Sequence, residues 1–480
     1  MLDVLKTSKN ISTMRLFKYL SIFVLALLLA CSSNDDSSPM MNDDDMGQDP
    51  GSAANLITNF AIPAGANNMP IDADVQAGNN TFKVFFPPNV NRSAIVVNYE
   101  LSPGAQLFIG ANEIVSGETP INFTSSVTLT VVAENGDENN YTVTSEGNFT
   151  ALDAAIENLR TQYNAPGFQL AIVKNEKLVY ANHYGNADIA GTQSVTDASL
   201  FRIASVSKPV TVIAILKLVQ DGVIGLNDTV FGANGILGTD YGTAPYGTNI
   251  ENIQVIHLID HVSGWTNNPF DPMFANINWS QEQVIDDIVN NRPLETVPGA
   301  TYYYSNFGYC VLGRVVEKVT GMSYVDYVKD QILSPSGIVT MQNAKPGTEN
   351  WPNEVEYYSQ ENFNPYTDMN VPRMDSHGGW VASATDLAKL LVRVDGGNAV
   401  PDILTSQTTA VNYIGVSDWW FAGSLPGTSS VVGKIAGEYN YVILTNTRPS
   451  TDIFAIITDM QQLMQSSIEN RSSWPNYDLF

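Results

Sequence analysis

The stretch Phe201-Arg202-Ile203-Ala204-Ser205-Val206-Ser207-Lys208-Pro209-Val210-Thr211 decides how the rest of the chain is read. Ser205 and Lys208 stand three apart, and positions i and i+3 of a helix share a face. The Lys amine can therefore approach the Ser hydroxyl within one turn. A Ser hydroxyl is a weak nucleophile until a neighbour takes its proton. The run from Val210 to Val219 is apolar nearly all round, as in a buried central helix. Burial there favours the neutral amine, which is the form able to act as a base. The helix N-terminus favours negative charge developing at Ser205. Ser and Lys are common residues, so this spacing alone carries little weight; other segments must agree with it.

They do, in order along the chain. Tyr304-Ser305-Asn306 precedes a helical pattern carrying Val311, Leu312, Val315 and Val316. A Tyr hydroxyl titrates near 10 and needs a cation beside it to serve as a base at neutral pH; Lys208 can supply one. Between the two motifs lies His261-Val262-Ser263-Gly264-Trp265, and later comes His377-Gly378-Gly379-Trp380-Val381-Ala382-Ser383. Together these segments resemble the penicillin-recognising, β-lactamase-like serine hydrolases: class C β-lactamases and their esterase and D-amino-peptidase relatives. They match the S-x-x-K, Y-x-N, H-T-S-G and Gly-Gly segments of that family. The resemblance runs from about residue 150 to 470. It implies Ser205 as nucleophile, Lys208 and Tyr304 as the proton-handling pair, and Asn306 as a hydrogen-bond partner of Lys208 or substrate.

The family's third motif is where the chain departs. A strand there usually presents Lys-Thr-Gly or His-x-Gly to a substrate carboxylate. This chain has Trp419-Trp420-Phe421-Ala422-Gly423-Ser424-Leu425-Pro426-Gly427. Gly423 and the turn match, but Phe421 stands in place of the cation and brings neither charge nor hydrogen bond. The backbone N–H groups of Ser205 and Ser424 remain able to form an oxyanion hole. An aromatic at this position also occurs among the family's carboxylesterases. The expected substrate therefore moves from β-lactams or D-Ala-D-Ala towards neutral esters or amides. Trp265, Trp420, Phe421 and Gly423, with Trp419, are the expected pocket lining.

Working outward, the start of the chain reads as a targeting segment. Arg15 and Lys18 precede an apolar run from Tyr19 to Ala30, too short to span a bilayer comfortably. It ends Leu28-Leu29-Ala30-Cys31, which resembles a bacterial lipobox, so residues 1–31 are expected to be a signal peptide with Cys31 the lipidated residue. Residues 32–54, with six Asp between 32 and 50, are too polar to fold alone and are expected to be a tether. The acidic residues behind Cys31 resemble surface-export signals of Bacteroidetes-type lipoproteins. Residues 55–147 turn to β-branched and aromatic runs such as Thr81–Phe86, Ala94–Tyr99 and Val127–Val132, with turns at Pro103-Gly104 and Asn135-Gly136. They predict a small β-sandwich resembling Ig- or cadherin-like stalk modules.

From 150 to 470 the pattern mixes helices and strands. Strands at 169–173, 178–181, 428–434 and 440–446 lie at the two ends, with helices between. This predicts a multidomain chain: an N-terminal β-sandwich, then an α/β domain with an antiparallel sheet built from both termini and a helical domain inserted. Hydrophobic residues make up 44% of the chain, enough for a large core, and the net charge of −26 disfavours nucleic-acid partners.

Rival chemistries find little support. No G-x-S-x-G nucleophile elbow occurs. His257 and His261 stand four apart but lack a third ligand, so they read as structural histidines and no metal or other cofactor is expected. Cys310 reads as a buried small hydrophobe. The reading is a serine hydrolase forming an acyl-enzyme on a small ester or peptide substrate, on an exported lipoprotein at the outer membrane or cell surface. The alternatives are a D-amino-acid peptidase or β-lactam-interacting protein, or a catalytically silent surface binding protein. Intact Ser205, Lys208 and Tyr304 argue against the last and Phe421 argues for it.

Overall fold

The computed structural model describes residues 51–146, 149–405 and 418–480. Cys31, its lipobox and tether residues 32–50 lie outside the described residues, and no described helix is long and apolar enough to cross a membrane.

The N-terminal region is β-rich. Its main sheet has six strands in the order Asp74–Gly78, Thr81–Phe85, Glu138–Glu146, Val127–Val132, Gln106–Ile109, Asn112–Glu113. Two ribbons, Ile57–Ala61 with Asn98–Leu101 and Ile95–Val96 with Pro120–Ile121, share a core with it. Strand Val127–Val132 shows why: Val127, Leu129 and Val131 are buried and the intervening residues are not, the period of two that lets one face meet a core. The second layer is thus two ribbons rather than a full sheet. Gly104 and Gly136 adopt positive φ at the two expected turns.

We number the principal elements of the C-terminal region separately: α1 (Thr150–Gln162), β1 (Gly167–Lys174), β2 (Lys177–Gly185), α2 (Ser207–Gln220), α3 (Gln281–Asn291), α4 (Asn306–Thr320), α5 (Ala384–Leu391), β3 (Trp419–Leu425), β4 (Thr428–Ile435), β5 (Tyr439–Thr445) and α6 (Ala455–Glu469). The five strands form one antiparallel sheet in the order β2-β1-β5-β4-β3. Strands from the start and end of the region meet in the middle, where Ala171 pairs with Val442.

Both faces are covered, and every residue of β4 and β5 is buried. On one face Leu152, Ile156 and Leu159 of α1, with Ile456, Met460 and Met464 of α6, pack on Phe168, Leu170, Val431 and Ile443. On the other, α2 and α5 pack on Ala171, Val173, Val432 and Leu444. Ser280 and Gln283 form a capping box at the start of α3, and Ser383 caps α5 by accepting from the Asp386 N–H at 3.0 Å. The C-terminal tail crosses to the N-terminal region: Gln76 Nε2 donates to Trp474 O at 3.1 Å, and Asn476 N donates to Asp74 Oδ2 at 3.0 Å.

Candidate active site

Ser205 does not lie on α2 itself. It occupies a single 3-10 turn, Ala204–Val206, immediately before the helix, and Ala204 holds a left-handed φ of 47°. Such a conformation in a residue with a Cβ costs about 1–2 kcal/mol and needs surrounding structure to hold it. Edge strand β3 supplies part of that hold. A Cβ on Gly423 would stand 2.2 Å from Ile203 O, 2.4 Å from Ser430 Oγ and 3.0 Å from Ala204 Cβ, so only glycine lets β3 approach the turn this closely. Ser430 of β4 donates to Ile203 O at 2.8 Å and ties the turn to the sheet.

Lys208, one residue into α2, is fully buried, and its amine meets three oxygens: Ser205 Oγ at 3.1 Å, Asn306 Oδ1 at 2.7 Å and His377 O at 2.9 Å. Burial pulls its pKa down to about 7, partly opposed by the charge of Asp271. Tyr304 donates to Ser205 Oγ at 2.7 Å, and Lys208 Nζ lies 4.7 Å from the centre of its ring. Burial pushes the Tyr304 phenol well above its ordinary value. Burial thus favours the neutral amine of Lys208 and the protonated phenol of Tyr304.

The local sequence explains how these side chains are placed. Ser305 caps α4, accepting from the Gly308 N–H at 2.9 Å, so Tyr304 precedes the helix and Asn306 opens it. His261 Nδ1 accepts from the Ser305 N–H at 3.1 Å, and burial drives the His261 pKa down to about 3, keeping the ring a neutral acceptor. His257 Nδ1 accepts from the Gln254 N–H at the start of its own short helix. Each histidine therefore spends a ring nitrogen on backbone, and no group of three metal ligands occurs among the described residues. Cys310 is wholly buried in the core.

Strand β3 separates the expected pocket residues by parity. Trp419 and Phe421 pack towards the core that carries α2, and Phe421 is half-buried. Trp420 and Ala422 pack on the opposite face against the core of α1 and α6. Trp420 is thus removed from the expected pocket lining, as alternate residues of a strand point to opposite faces. Trp265 is removed too. It is 3% exposed, its indole N–H donates to Arg292 O at 3.0 Å, and Phe231 and Phe307 meet it edge to face. Ser424 sits on the edge strand immediately before the Leu425–Thr428 turn, with its hydroxyl 3.4 Å from Arg448 Nη1.

Three contributors were given no role in the sequence. His377 opens the Gly-Gly segment, but nothing there marks its carbonyl as a partner of Lys208, and the Ser430 hydroxyl lacks any motif of its own. Asp271 accepts from Asn306 Nδ2 at 2.7 Å and from the Met273 N–H at 2.9 Å. Asp271-Pro272 does carry a helix-start signal, but nothing in it points towards Asn306.

Comparison with known proteins then decides the family. The Beta-lactamase family model matches residues 152–419, more than half of the chain, and SGBP, N-terminal matches residues 57–144. The chain belongs to the β-lactamase family. Among curated relatives of this β-lactamase-family protein, penicillin-binding protein 4* of Bacillus subtilis is 30% identical over 194 residues, 39% of this chain and 40% of its own. Protein flp of Staphylococcus aureus (strain MW2) is 30% identical over 187 residues, 38% of this chain and 36% of its own. The chain therefore spans well under half the length of these relatives. Two solved structures share the fold. The D-amino acid amidase of Ochrobactrum anthropi has 20% identity and a TM-score of 0.55 over 67% of this chain and all of that one. The penicillin-binding protein homologue of Pyrococcus abyssi has 22% identity and a TM-score of 0.52 over 65% of this chain and 78% of that one.

Proposed function

We propose that this protein is a serine hydrolase that forms an acyl-enzyme on a neutral ester or amide. The observation that carries the reading is Ser205 Oγ standing between a buried amine at 3.1 Å and a phenol O–H at 2.7 Å. Neutral Lys208 takes the Ser205 proton as Oγ bonds to the substrate carbonyl carbon. The oxyanion rests on the backbone N–H groups of Ser205 and Ser424. As the tetrahedral adduct collapses, Tyr304 gives its proton to the departing oxygen or nitrogen, and the proton held on Lys208 restores the phenol. Water then attacks the acyl-enzyme with the same two groups in the same roles, releasing the acid and Ser205. Phe421 in place of the usual cation supports a substrate without a carboxylate at that position. It sets this reading ahead of a D-amino-acid peptidase; one structural neighbour is named a D-amino acid amidase.

The SGBP match supports placement at the cell surface, with the β-rich region as spacer or glycan-contacting module; Cys31 as the lipidated anchor rests on its lipobox-like sequence alone. Turnover of p-nitrophenyl acetate and butyrate by the purified protein, beside Ser205→Ala, tests the chemistry. Ester hydrolysis lost in the variant supports the reading. Equal inertness of both, with turnover of D-phenylalanine amide, transfers the protein to the peptidase class. Inertness on every substrate leaves the silent receptor.

A further inference from the structure

One carboxylate stands behind the site, linked to the Ser205 proton acceptor through a single side chain. Asp271 closes the loop before the short helix Pro272–Phe274; its Oδ1 accepts from the Met273 N–H at 2.9 Å, and its Oδ2 accepts from Asn306 Nδ2 at 2.7 Å. An ionised carboxylate can only accept, whereas an amide has one end of each kind. Asp271 therefore admits only one orientation of Asn306, NH2 towards the carboxylate and Oδ1 towards Lys208, where the contact is 2.7 Å. A flipped amide would set oxygen against oxygen at Asp271.

That orientation has a consequence at Lys208. A neutral amine has two N–H bonds and one lone pair. Asn306 Oδ1 takes one N–H and His377 O, at 2.9 Å, takes the other. The remaining direction is occupied by Ser205 Oγ at 3.1 Å. We propose that Asp271 is a positioning residue: by locking the Asn306 amide it aims the lone pair of Lys208 at the Ser205 hydroxyl. The inference rests on the acyl-transfer reading of Ser205 and adds a residue to it.

The groups around the amine are few. Ser205, Tyr304, Tyr309, Asn306 and the His377 carbonyl are uncharged, and the nearby rings of His261 and His377 are held neutral by burial. Asp271 is the charge that opposes the effect of burial on Lys208. Loss of its charge lowers the lysine pKa, so the acid limb of activity moves to lower pH even as the rate falls.

The test is a set of three variants. Asp271→Asn has one acceptor where two are required, Asp271→Ala has none, and Asp271→Glu keeps the carboxylate. On p-nitrophenyl acetate, Asp271→Asn and Asp271→Ala are expected to lose about tenfold or more in kcat with KM within about twofold. Their acid limb should move down by about one pH unit, with Asp271→Glu restoring its position. A second readout needs no turnover: the pH titration of the Lys208 13Cε resonance in lysine-labelled protein, assigned by its loss in Lys208→Arg. Wild-type rate and limb in Asp271→Asn overturn the proposal. So does a loss of kcat and thermal stability in all three variants with an unmoved lysine titration, which is the signature of a lost helix cap alone. If wild type itself turns over no substrate, the acyl-transfer reading fails, and the lysine titration still decides whether Asp271 governs Lys208.

Discussion

Replacing Gly423 with alanine asks whether β3 braces the nucleophile turn. The added Cβ would lie 2.2 Å from Ile203 O and 2.4 Å from Ser430 Oγ. An ordinary carbon–oxygen contact is about 1 Å longer than either. Ser430 can rotate away, but it then abandons its hydrogen bond to Ile203 O; the carbonyl itself is backbone and cannot swing. Relief must come from β3 shifting outward by about 1 Å, and overpacking of this kind costs about 1–3 kcal/mol. For a domain of this size that corresponds to a fall in Tm of about 1.5–5 °C. The larger effect falls on the chemistry, because Ser424, next along the strand, moves with it. A misplacement of about 1 Å in a reacting constellation costs roughly a hundredfold in rate. Calorimetry gives the first quantity and kcat on p-nitrophenyl butyrate the second. A Gly423→Ala protein with wild-type Tm and kcat would refute the close approach, and with it the role of β3 in shaping the oxyanion site.

Three further outcomes follow from the same geometry. Because Lys208 must be neutral to accept a proton and burial pulls its pKa down to about 7, kcat/KM on an uncharged ester should rise through about pH 7 and fall about tenfold per unit below it; a limb near pH 10 would show that burial does not depress the lysine and would refute it as a base at neutral pH. Tyr304→Phe removes the O–H donated to Ser205 and should lower kcat about a hundredfold or more with an unchanged circular dichroism spectrum. Phe421→Lys should raise acylation by a fluorescent penicillin relative to a neutral ester about tenfold, the worth of one charge-assisted hydrogen bond of roughly 1.5 kcal/mol; an unchanged ratio would show that Phe421 does not face the substrate.

The sequence made the outline of the site legible because its parts are local. Ser205 and Lys208 are three apart, and Tyr304 and Asn306 flank a capping serine, so short-range rules place each pair. The four sheet strands at the ends of the region were also visible, since each carries a β-branched or aliphatic run such as Val431-Val432 or Val442-Ile443-Leu444. Failures came where long-range packing decides. Trp265 and Trp420 have the composition of a pocket wall, yet one is spent on Phe231 and Phe307 and the other lies on the far face of β3. The 3-10 turn at Ser205 reflects the pressure of Gly423, more than two hundred residues away. Asp271 was invisible because its partner, Asn306, is distant in sequence. The depth of Tyr304 could not be read from three consecutive tyrosines either.

The order of strands also bears on how the chain can be made. Strand β1 has its hairpin partner β2 at once, but its other edge waits for β5, so Ala171 meets Val442 only when nearly the whole chain exists. Until then the hairpin shows a bare row of backbone donors and acceptors, and the covering face of α6 is absent. Contacts of such long sequence separation slow folding. A sheet that cannot close until the last tenth of the chain has been made leaves the region without its full core until then. The same arrangement makes the C-terminal end the wrong place to shorten the protein: a stop before β5 removes the central strand of the sheet rather than an edge.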